Sequence, residues 1–343
     1  MKRVLAVLLV AALLLTGCAG AQTTDTQTTD SQVPEVTADT TTETAEAEPA
    51  VTIRVSGAWA LYPMMLVWAD EYSKLHNNVT FEVAGGGAGK GMSDVLSDQV
   101  DIGMVSRPIK QEETDQGAFY VAVTKDTVLG IVNEANPVYE DILAKGLTQE
   151  NLRQIFMGEV SEWGQIFGKE LDNDEIVVYG RSDSSGAAAV WATYLGDYTE
   201  ADLQNASDAN VSGDQAIASS VMSDPNAISF TNMNYAYDVT TGSYVTGLRP
   251  VPIDLNGDGQ LTADESFYDS KSVFLENVAN GVYPAPPTRE EYLVVNGAFE
   301  GATLEFVDWI LNDGQAFLTD NGYVELLPDE QTRELNVLTS GTR

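Results

Sequence analysis

Hydrophobic and polar residues follow one another along residues 51–106 in a pattern typical of alternating strands and helices. The segment VTIRVSG, 51–57, alternates as a strand does, and residues 63–75 carry apolar side chains at helical spacing. VTFEVAG predicts a second strand, GMSDVLSDQ the start of a short helix, and VDIGMVS a third strand. This strand and helix order, with short glycine-bearing turns, predicts a parallel sheet with helices on both faces.

The same order of elements returns later in the chain. TVLGIVN, EIVVYG and EYLVVNG predict strands, LTQENLRQIFMG and AAAVWATYL predict helices, and LEFVDWILNDGQAFLTDNG predicts one terminal helix. Two α/β lobes joined by strand crossovers account for the length of the folded part, 51–343, better than one large sheet.

The N-terminus has the features of an export signal. Two positive charges precede an apolar run, 4–15, which is short for a membrane span. The sequence LTGC, 15–18, resembles the lipobox of bacterial lipoproteins, in which the cysteine is acylated and becomes the mature N-terminus. We therefore expect a lipoprotein signal peptide at 1–17, lipidation of Cys18, and an extracytoplasmic protein anchored to the bacterial cell membrane. The alternative is an ordinary secretory signal with an incidental cysteine.

Residues 18–50 have the composition of a disordered spacer. Residues 19–50 contain ten threonines and seven acids but no Lys, Arg or aromatic residue, so they cannot bury enough apolar surface to fold. The formal net charge is −35, and without Lys2, Arg3 and the seven spacer acids the folded part keeps −30. This charge argues against nucleic acid or anionic membrane surfaces as partners. It leaves a small anion open, because local dipoles can outweigh a screened distant field.

A glycine-rich turn, GGGAGKG at 85–91, raises the question of phosphate binding. It resembles the phosphate loop of ATPases, but Gly91 stands where that loop needs a Ser or Thr to hold Mg²⁺, and we expect Lys90 to be solvated. Two more strand-to-helix turns are SGAWALYP at 56–63 and GRSDSSGAAA at 180–189. Helix N-termini offer N–H groups and a partial positive charge, so these turns and Arg181 predict an anion site. The alternative for each is a turn without a ligand.

Several motifs are similar to those of the phosphate-binding lipoproteins of bacterial ABC-type phosphate importers: SGAWALYP, GGGAGKG, DIGMVSRPI, LTQENLRQIFMGEVSEW, RSDSSG, YPAPPTREEYLVVNG and GQAFLTDNGYVELL. The resemblance covers about residues 51–343. It implies a two-lobed α/β fold of the periplasmic-binding-protein type (type II, flytrap-like), with strand crossovers between the lobes, that closes on a tetrahedral oxyanion. We expect a monomer with lobe 1 at 51–126 and 292–343 and lobe 2 at 127–291. The anion-holding positions of the family fall on Leu61, Tyr62, Ala88, Gly89, Ser106, Arg107, Arg181, Ser185, Gly186 and Ala187.

The chain departs from this family at three of those positions. Relatives carry hydroxyl residues where this chain has Leu61, Ala88 and Ala187, and some relatives carry an aspartate where it has Ser106. Three lost hydrogen bonds to a charged group weaken binding by about 5–9 kcal/mol, although Ser56, Ser182 or Ser184 can replace some of the hydroxyls. Phosphate, delivered to an ABC importer permease, is the leading ligand. A different oxyanion, a phosphorylated ligand, or a surface sensor or scaffold that reuses the fold stays open.

A second chemical signal, DLNGDGQLTADE at 254–265, is independent of the family. Its spacing matches an EF-hand-like calcium loop, with Asp254, Asn256, Asp258, Gln260 and Glu265 as the expected ligands. Two prolines precede the loop, so no incoming helix is available, and a helix is expected after it around 269–279. We therefore expect a single structural Ca²⁺ and no organic cofactor. The alternative is an Asp- and Gly-rich surface turn.

An exported hydrolase of phosphate esters is the enzyme alternative. The chain has one histidine, His76, at the predicted end of a helix, where a capping role is expected. No Ser-His-Asp arrangement and no HExxH motif accompanies it. The sequence therefore favours a binding protein over an enzyme.

Overall fold

The computed structural model describes residues 49–343, and the strands of this part pair into one sheet of nine strands. The expected signal peptide, Cys18 and nearly all of the spacer lie outside the described residues. The strands are β1 Val51–Gly57, β2 Val79–Gly85, β3 Ile102–Val105, β4 Ala118–Asn133, β5 Val177–Arg181, β6 Ala209–Val211, β7 Ala227–Asn232, β8 Leu248–Pro250 and β9 Thr288–Asn296.

Helices connect most of the strands. They are α1 Tyr62–Leu75, α2 Ala88–Leu96, α3 Gln111–Asp115, α4 Tyr139–Lys145, α5 Gln149–Phe156, α6 Trp163–Phe167, α7 Gly186–Leu195, α8 Glu200–Ala206, α9 Asp214–Ser223, α10 Met233–Ala236, α11 Lys271–Ala279, α12 Gly301–Leu311 and α13 Pro328–Ser340. Within 49–343, none of these helices combines the length and the apolar character that a membrane crossing requires.

The sheet is mixed, whereas the sequence pattern predicted a parallel one. The strand order is β2-β1-β3-β9-β4-β7-β5-β6, with β8 beside β4. The flanks are parallel as expected, because β1 pairs with β2 and β3, and β5 with β6 and β7. In the middle, β4 and β9 run antiparallel to each other and to their outer neighbours β7 and β3. Periodicity reports which face of a strand is buried but not its direction.

Strand β4 connects the two halves of the sheet. Its first part pairs with β9 and its last residues pair with β7 and β8. It contributes Val121 and Val123 to one hydrophobic cluster, which also holds Trp68 and Phe306. It contributes Val128, Leu129, Ile131 and Val132 to a second cluster, which also holds Trp191. Two cores therefore share one long strand, and the exact lobe boundaries stay a prediction.

The C-terminal region differs from the predicted single helix at 304–322. Helix α12 ends at Leu311 and is followed by the short 3₁₀ turns Asp313–Phe317 and Thr319–Asn321. The reason lies in the break at 312–314, where the carbonyl of Gly314 leaves the helix and accepts a hydrogen bond from the Trp68 indole at 2.9 Å. Helix α13, which begins at Pro328, was not predicted.

Candidate anion-binding site

The three strand-to-helix turns named by the sequence and the segment that follows β3 meet in the structure. The Gly87 N–H donates to the Gly57 carbonyl at 3.0 Å, and the Gly89 N–H donates to the Ser184 carbonyl at 3.2 Å. Gly186 lies so close to Ser106 that a Cβ on it would stand 2.1 Å from the Ser106 Oγ. The turns that follow β1, β2, β3 and β5 therefore lie against one another, with two cores behind them.

Three helices begin at these turns. Tyr62, Ala88 and Gly186 are the first residues of α1, α2 and α7. Gly87, directly before α2, has φ +93°, which favours glycine, and its missing side chain leaves room for the Ser184 carbonyl and the Asp183 carboxylate. Ser185 caps α7, since its Oγ accepts a hydrogen bond from the Ala188 N–H at 3.2 Å. The first turns of helices supply N–H donors and partial positive charge to whatever lies between them.

Arg181 is the buried cation of the site. Its Nε and Nη2 donate to Asp183 at 2.8 and 2.7 Å, and its Nη1 donates to Asp214 at 3.0 Å. The side chain is 1% exposed. A guanidinium has five N–H groups, so two of them are not engaged by these three bonds. The two carboxylates also fix the plane of the fork, which suits it to two oxygens of one anion.

Sequence reasoning missed Asp214. It is fully buried at the start of α9, where it accepts hydrogen bonds from Arg181, from the Thr231 hydroxyl and from the Asn232 N–H, the last two at 3.0 Å. An acid at the first position of a helix is normally read as favourable to the helix dipole. Its contact with Arg181, more than thirty positions away, has no local signal.

Glu200, the first residue of α8, was also missed, and its carboxylate contacts the residue that precedes α7. Its Oε2 accepts a hydrogen bond from the Ser185 N–H at 3.0 Å. Burial raises the pKa of Glu200, and the positive charges of Arg107 and Lys110 partly offset this shift. One N–H of the α7 turn is therefore occupied by a carboxylate of the protein itself.

The PBP superfamily domain matches residues 37–314. The chain belongs to the PBP superfamily. The phosphate-binding protein PstS of Bacillus subtilis is 25% identical over 294 residues, which cover 85% of this chain and 86% of that protein. The phosphate-binding protein PstS of Xylella fastidiosa strain 9a5c is 23% identical over 319 residues, which cover 84% of this chain and 85% of that protein.

Solved structures share the superfamily fold with this chain. A phosphate ABC transporter substrate-binding protein from Clostridium perfringens, solved with bound phosphate, superposes with a TM-score of 0.64 at 23% identity, covering 81% of this chain and all of that one. An ABC-type phosphate transport receptor from Vibrio cholerae gives a TM-score of 0.57 at 20% identity, covering 80% and 100%. The two-lobed α/β fold and the family resemblance are thereby confirmed. The relatives are named as binding proteins, which supports a binding protein over an enzyme.

The positions that lack a hydroxyl in this superfamily member are fully enclosed. Leu61 and Ala88 are 0% exposed and Ala187 is 2% exposed. Of the serines named above as replacements, Ser56 donates its hydroxyl to Asp94 at 2.6 Å, so it is already engaged. Ser184 remains closer to the site, because its Oγ lies beside Gly89.

The two cations next to these turns have other partners. Arg107 is buried, and its guanidinium binds Glu113 through bonds of 2.6 and 2.9 Å and the Pro108 carbonyl at 3.0 Å. Its role as a ligand of the anion stays a prediction that rests on the family alone. Lys90 is half exposed and forms an ion pair with Asp94, as expected for a solvated residue. His76 ends α1 and stacks on Tyr72 with a ring distance of 4.1 Å, which is the expected capping position.

A buried network extends from the site to the crossover strands. Asp214 binds the Asn232 N–H, and the Asn232 side-chain oxygen accepts from Arg289. Arg289, on β9, donates to Asp126, on β4, at 2.8 and 3.2 Å. Polar groups thus connect Arg181 to the two strands shared by the lobes, which is where hinge motion is expected.

Glu291, also on β9, gives this network a pH dependence. It is fully buried, and burial raises its pKa well above the ordinary 4.5; Asp126 raises it further and Arg289 opposes the shift. An acid whose pKa is higher in the folded than in the unfolded state contributes stability to the folded protein. This contribution is fully present at pH values below the unfolded-state pKa, and it is lost as the pH rises through the folded-state pKa.

We therefore expect Glu291→Gln to stabilise the protein at neutral pH. Near pH 4 the variant and the parent should have similar free energies of unfolding. Above pH 4, the free energy of unfolding of the parent should decrease relative to that of the variant by up to about 1.4 kcal/mol per pH unit, until the pH reaches the folded-state pKa of Glu291. Denaturant titrations of both proteins across this range measure the difference. A difference that does not change with pH would show that Glu291 is ionised in the folded protein.

The predicted calcium loop folds around its two terminal acids. Asp254 accepts hydrogen bonds from the N–H groups of Gly257 and Gly259 at 2.7 and 2.9 Å. Glu265 accepts from the Leu255 N–H at 2.8 Å and from the Thr262 hydroxyl at 2.6 Å. Both acids are nearly buried, and the predicted helix follows as α11. Within residues 49–343, however, no three His, Cys, Asp or Glu side chains stand close enough together to hold a metal. Calcium binding stays a prediction.

Proposed function

We propose that this chain is an extracytoplasmic binding protein that captures inorganic phosphate and presents it to an ABC importer. The observation that carries the proposal is Arg181, a buried guanidinium with two uncommitted N–H groups beside the starts of α2 and α7. A fixed fork and helix N-termini are the groups that hold tetrahedral oxyanions in proteins. The names of the relatives and the bound phosphate in the Clostridium perfringens structure support the same ligand.

Carboxylates near the fork favour phosphate over sulfate. Asp183 lies against Gly87, with its Oδ2 2.9 Å from the place of a Cβ there, and this oxygen accepts only from Arg181 among the described residues. A carboxylate oxygen has more than one acceptor site, so Asp183 can accept the proton that phosphate carries near neutral pH. Sulfate carries no proton at that pH, so its oxygens would be repelled by the Asp183 carboxylate. Asp183 therefore takes the role that the aspartate of some relatives has at the position of Ser106.

An anion panel tests this function. The thermal midpoint of the exported chain is measured with phosphate, sulfate, arsenate and a phosphate ester, and we expect phosphate and arsenate to raise it because both can carry a proton. An equal response to sulfate would contradict the role of Asp183. A response to the ester alone would favour a phosphorylated ligand. Phosphate uptake by cells that lack the protein separates transport from sensing, since a sensor would leave uptake by the importer itself intact.

We further propose that Cys18 anchors the protein through a lipid. The support is the LTGC sequence at the end of an export signal and the polar spacer that follows it. Mass analysis of the protein extracted from membranes should find a diacylglyceryl-modified Cys18 as the first residue. Cys18→Ala should release the protein into the medium or periplasm, and an unmodified N-terminus downstream of Cys18 would contradict the proposal.

A structural calcium ion at 254–265 is the remaining proposal. We expect Ca²⁺ to stabilise the folded protein, by about 2.7 kcal/mol at a concentration one hundred times its dissociation constant. Glu265→Ala should remove the effect because it deletes the two oxygens of loop position 12. Asp264→Ala, an exposed acid of the same loop, is the matched control and should keep it. A melting temperature that does not change on chelation of calcium in the parent protein would contradict the site.

A further inference from the structure

A second cavity lies apart from the oxyanion site. It has a volume of about 940 Å³, is open to solvent, and is lined by residues 239–242, helix α11, the crossover strands at Lys125 and Arg289, and residues 319–327. None of the residues that the family resemblance assigns to the anion lines it. Its size falls in the range of pockets that hold small organic ligands.

Lys271, the first residue of α11, is the unusual group in this cavity. The side chain lines the cavity while the residue is only 6% exposed, and its Nζ has no hydrogen-bond partner among the described residues. Burial lowers the pKa of Lys271, whereas Asp238 and Asp320 act in the opposite direction. A buried ammonium without a partner is unfavourable, so a carboxylate at this position would supply the hydrogen-bond partner that the ammonium lacks.

Arg289 adds a second donor to the same cavity. Its Nε and Nη2 bind Asp126 and Asn232, but its Nη1 is buried and has no partner among the described residues. The residue is 7% exposed and lines the cavity together with Lys271. Two cationic side chains, each on a residue more than nine-tenths buried, thus line one cavity, and each has a donor nitrogen without a partner among the described residues.

The remaining walls define the rest of the ligand. Leu275, Val278 and Val324 give apolar surface inside, and Val239 and Leu327 are 58% and 56% exposed at its edge. Four acids also line the cavity: Glu276, Glu290, Asp320 and Glu325. These acids repel a multiply charged anion such as a nucleotide. A ligand with a single negative charge can pair that charge with Lys271 and Arg289.

We propose that this cavity binds a small organic monocarboxylate, with its carboxylate on Lys271 and Arg289 and its apolar body against Leu275 and Val278. The site does not depend on phosphate binding and would make the protein a carrier or sensor of a second kind of ligand. It lies on the crossover strands, so occupancy of the cavity would also act on the strands that join the two cores.

Octanoate is the probe, titrated calorimetrically into the full exported chain. We expect one octanoate per chain, and Lys271→Met should lower its affinity about 10- to 100-fold because a charge-assisted hydrogen bond is lost. Lys125→Met is the matched control, since Lys125 lines the same cavity but is paired with Glu330; it should change the affinity far less. Lys271→Gln repeats the test with a polar side chain in case Lys271→Met alters folding.

Three results would overturn the proposal. The first is no octanoate binding at millimolar concentration, and the second is equal binding of octan-1-ol, which has the apolar body but no charge. The third is unchanged octanoate affinity in both Lys271 variants, which would show that Lys271 does not hold the carboxylate. Phosphate binding serves as the internal control and should be the same in all of these variants.

Discussion

Replacing Arg181 with alanine should abolish phosphate binding and destabilise the protein. The substitution removes the only buried cation that touches Asp183 and Asp214 in the described part of the chain, and leaves the fully buried Asp214 without its counter-charge. Removal of one partner from a buried ion pair costs about 3–5 kcal/mol of unfolding free energy. Calorimetry with phosphate and denaturant unfolding measure the two losses.

A lysine at the same position separates the two effects. Arg181→Lys keeps one positive charge between the carboxylates but lacks the planar fork, so it can satisfy Asp214 without holding two oxygens of a ligand. We expect a smaller loss of stability than for Arg181→Ala and a phosphate affinity lower by about 100-fold, the worth of a charge-assisted bidentate contact. Wild-type phosphate affinity in a folded Arg181→Lys protein would exclude the fork from the site.

Gly186→Ala should block the close approach of the turns after β3 and β5. A Cβ at this position would stand 2.1 Å from the Ser106 Oγ and 2.5 Å from the Ser106 carbonyl oxygen. Gly186 begins a helix, where alanine is at least as favourable as glycine, so the fold around α7 should be kept. Overpacking of this kind costs about 1–3 kcal/mol, which corresponds to about a 5- to 150-fold loss of phosphate affinity.

The expected loss of affinity has a structural readout. Small-angle scattering with saturating phosphate should show the parent compact and Gly186→Ala more extended, because the lobes cannot close around the ligand. Ala189→Gly, in the same helix but without this contact, is the control for helix propensity and should leave affinity nearly unchanged. Normal affinity and normal compaction in Gly186→Ala would show that Gly186 and Ser106 do not define the closed state.

The sequence predicted the local features of this fold well. Strands β1 to β3 and helices α1, α2 and α7 lie where hydrophobic periodicity and glycine-bearing turns place them. These features depend on residues within about ten positions of each other, which periodicity and turn chemistry report directly. The meeting of the turns came from the family resemblance, since spacing alone does not say which turns share an edge.

The features that were missed depend on distant partners. Asp214 and Glu200 bind Arg181 and the α7 turn across stretches of chain that local patterns do not connect. The antiparallel middle of the sheet depends on β4 and β9, which are far apart in sequence. Arg107 illustrates the same limit at short range, because its pairing with Glu113 depends on the turn into α3. Tertiary context decides each of these contacts.

Capture of phosphate between the turns is tested by calorimetric titration of the phosphate-free exported chain with inorganic phosphate. Sulfate is titrated in parallel, and Asp183→Asn is compared with the parent. We expect one phosphate per chain, no measurable sulfate binding by the parent, and weaker discrimination between the two anions in Asp183→Asn. Absence of phosphate binding at millimolar concentration by the folded parent protein would contradict it, and the buried Leu61, Ala88 and Ala187 would then mark a pocket for another ligand.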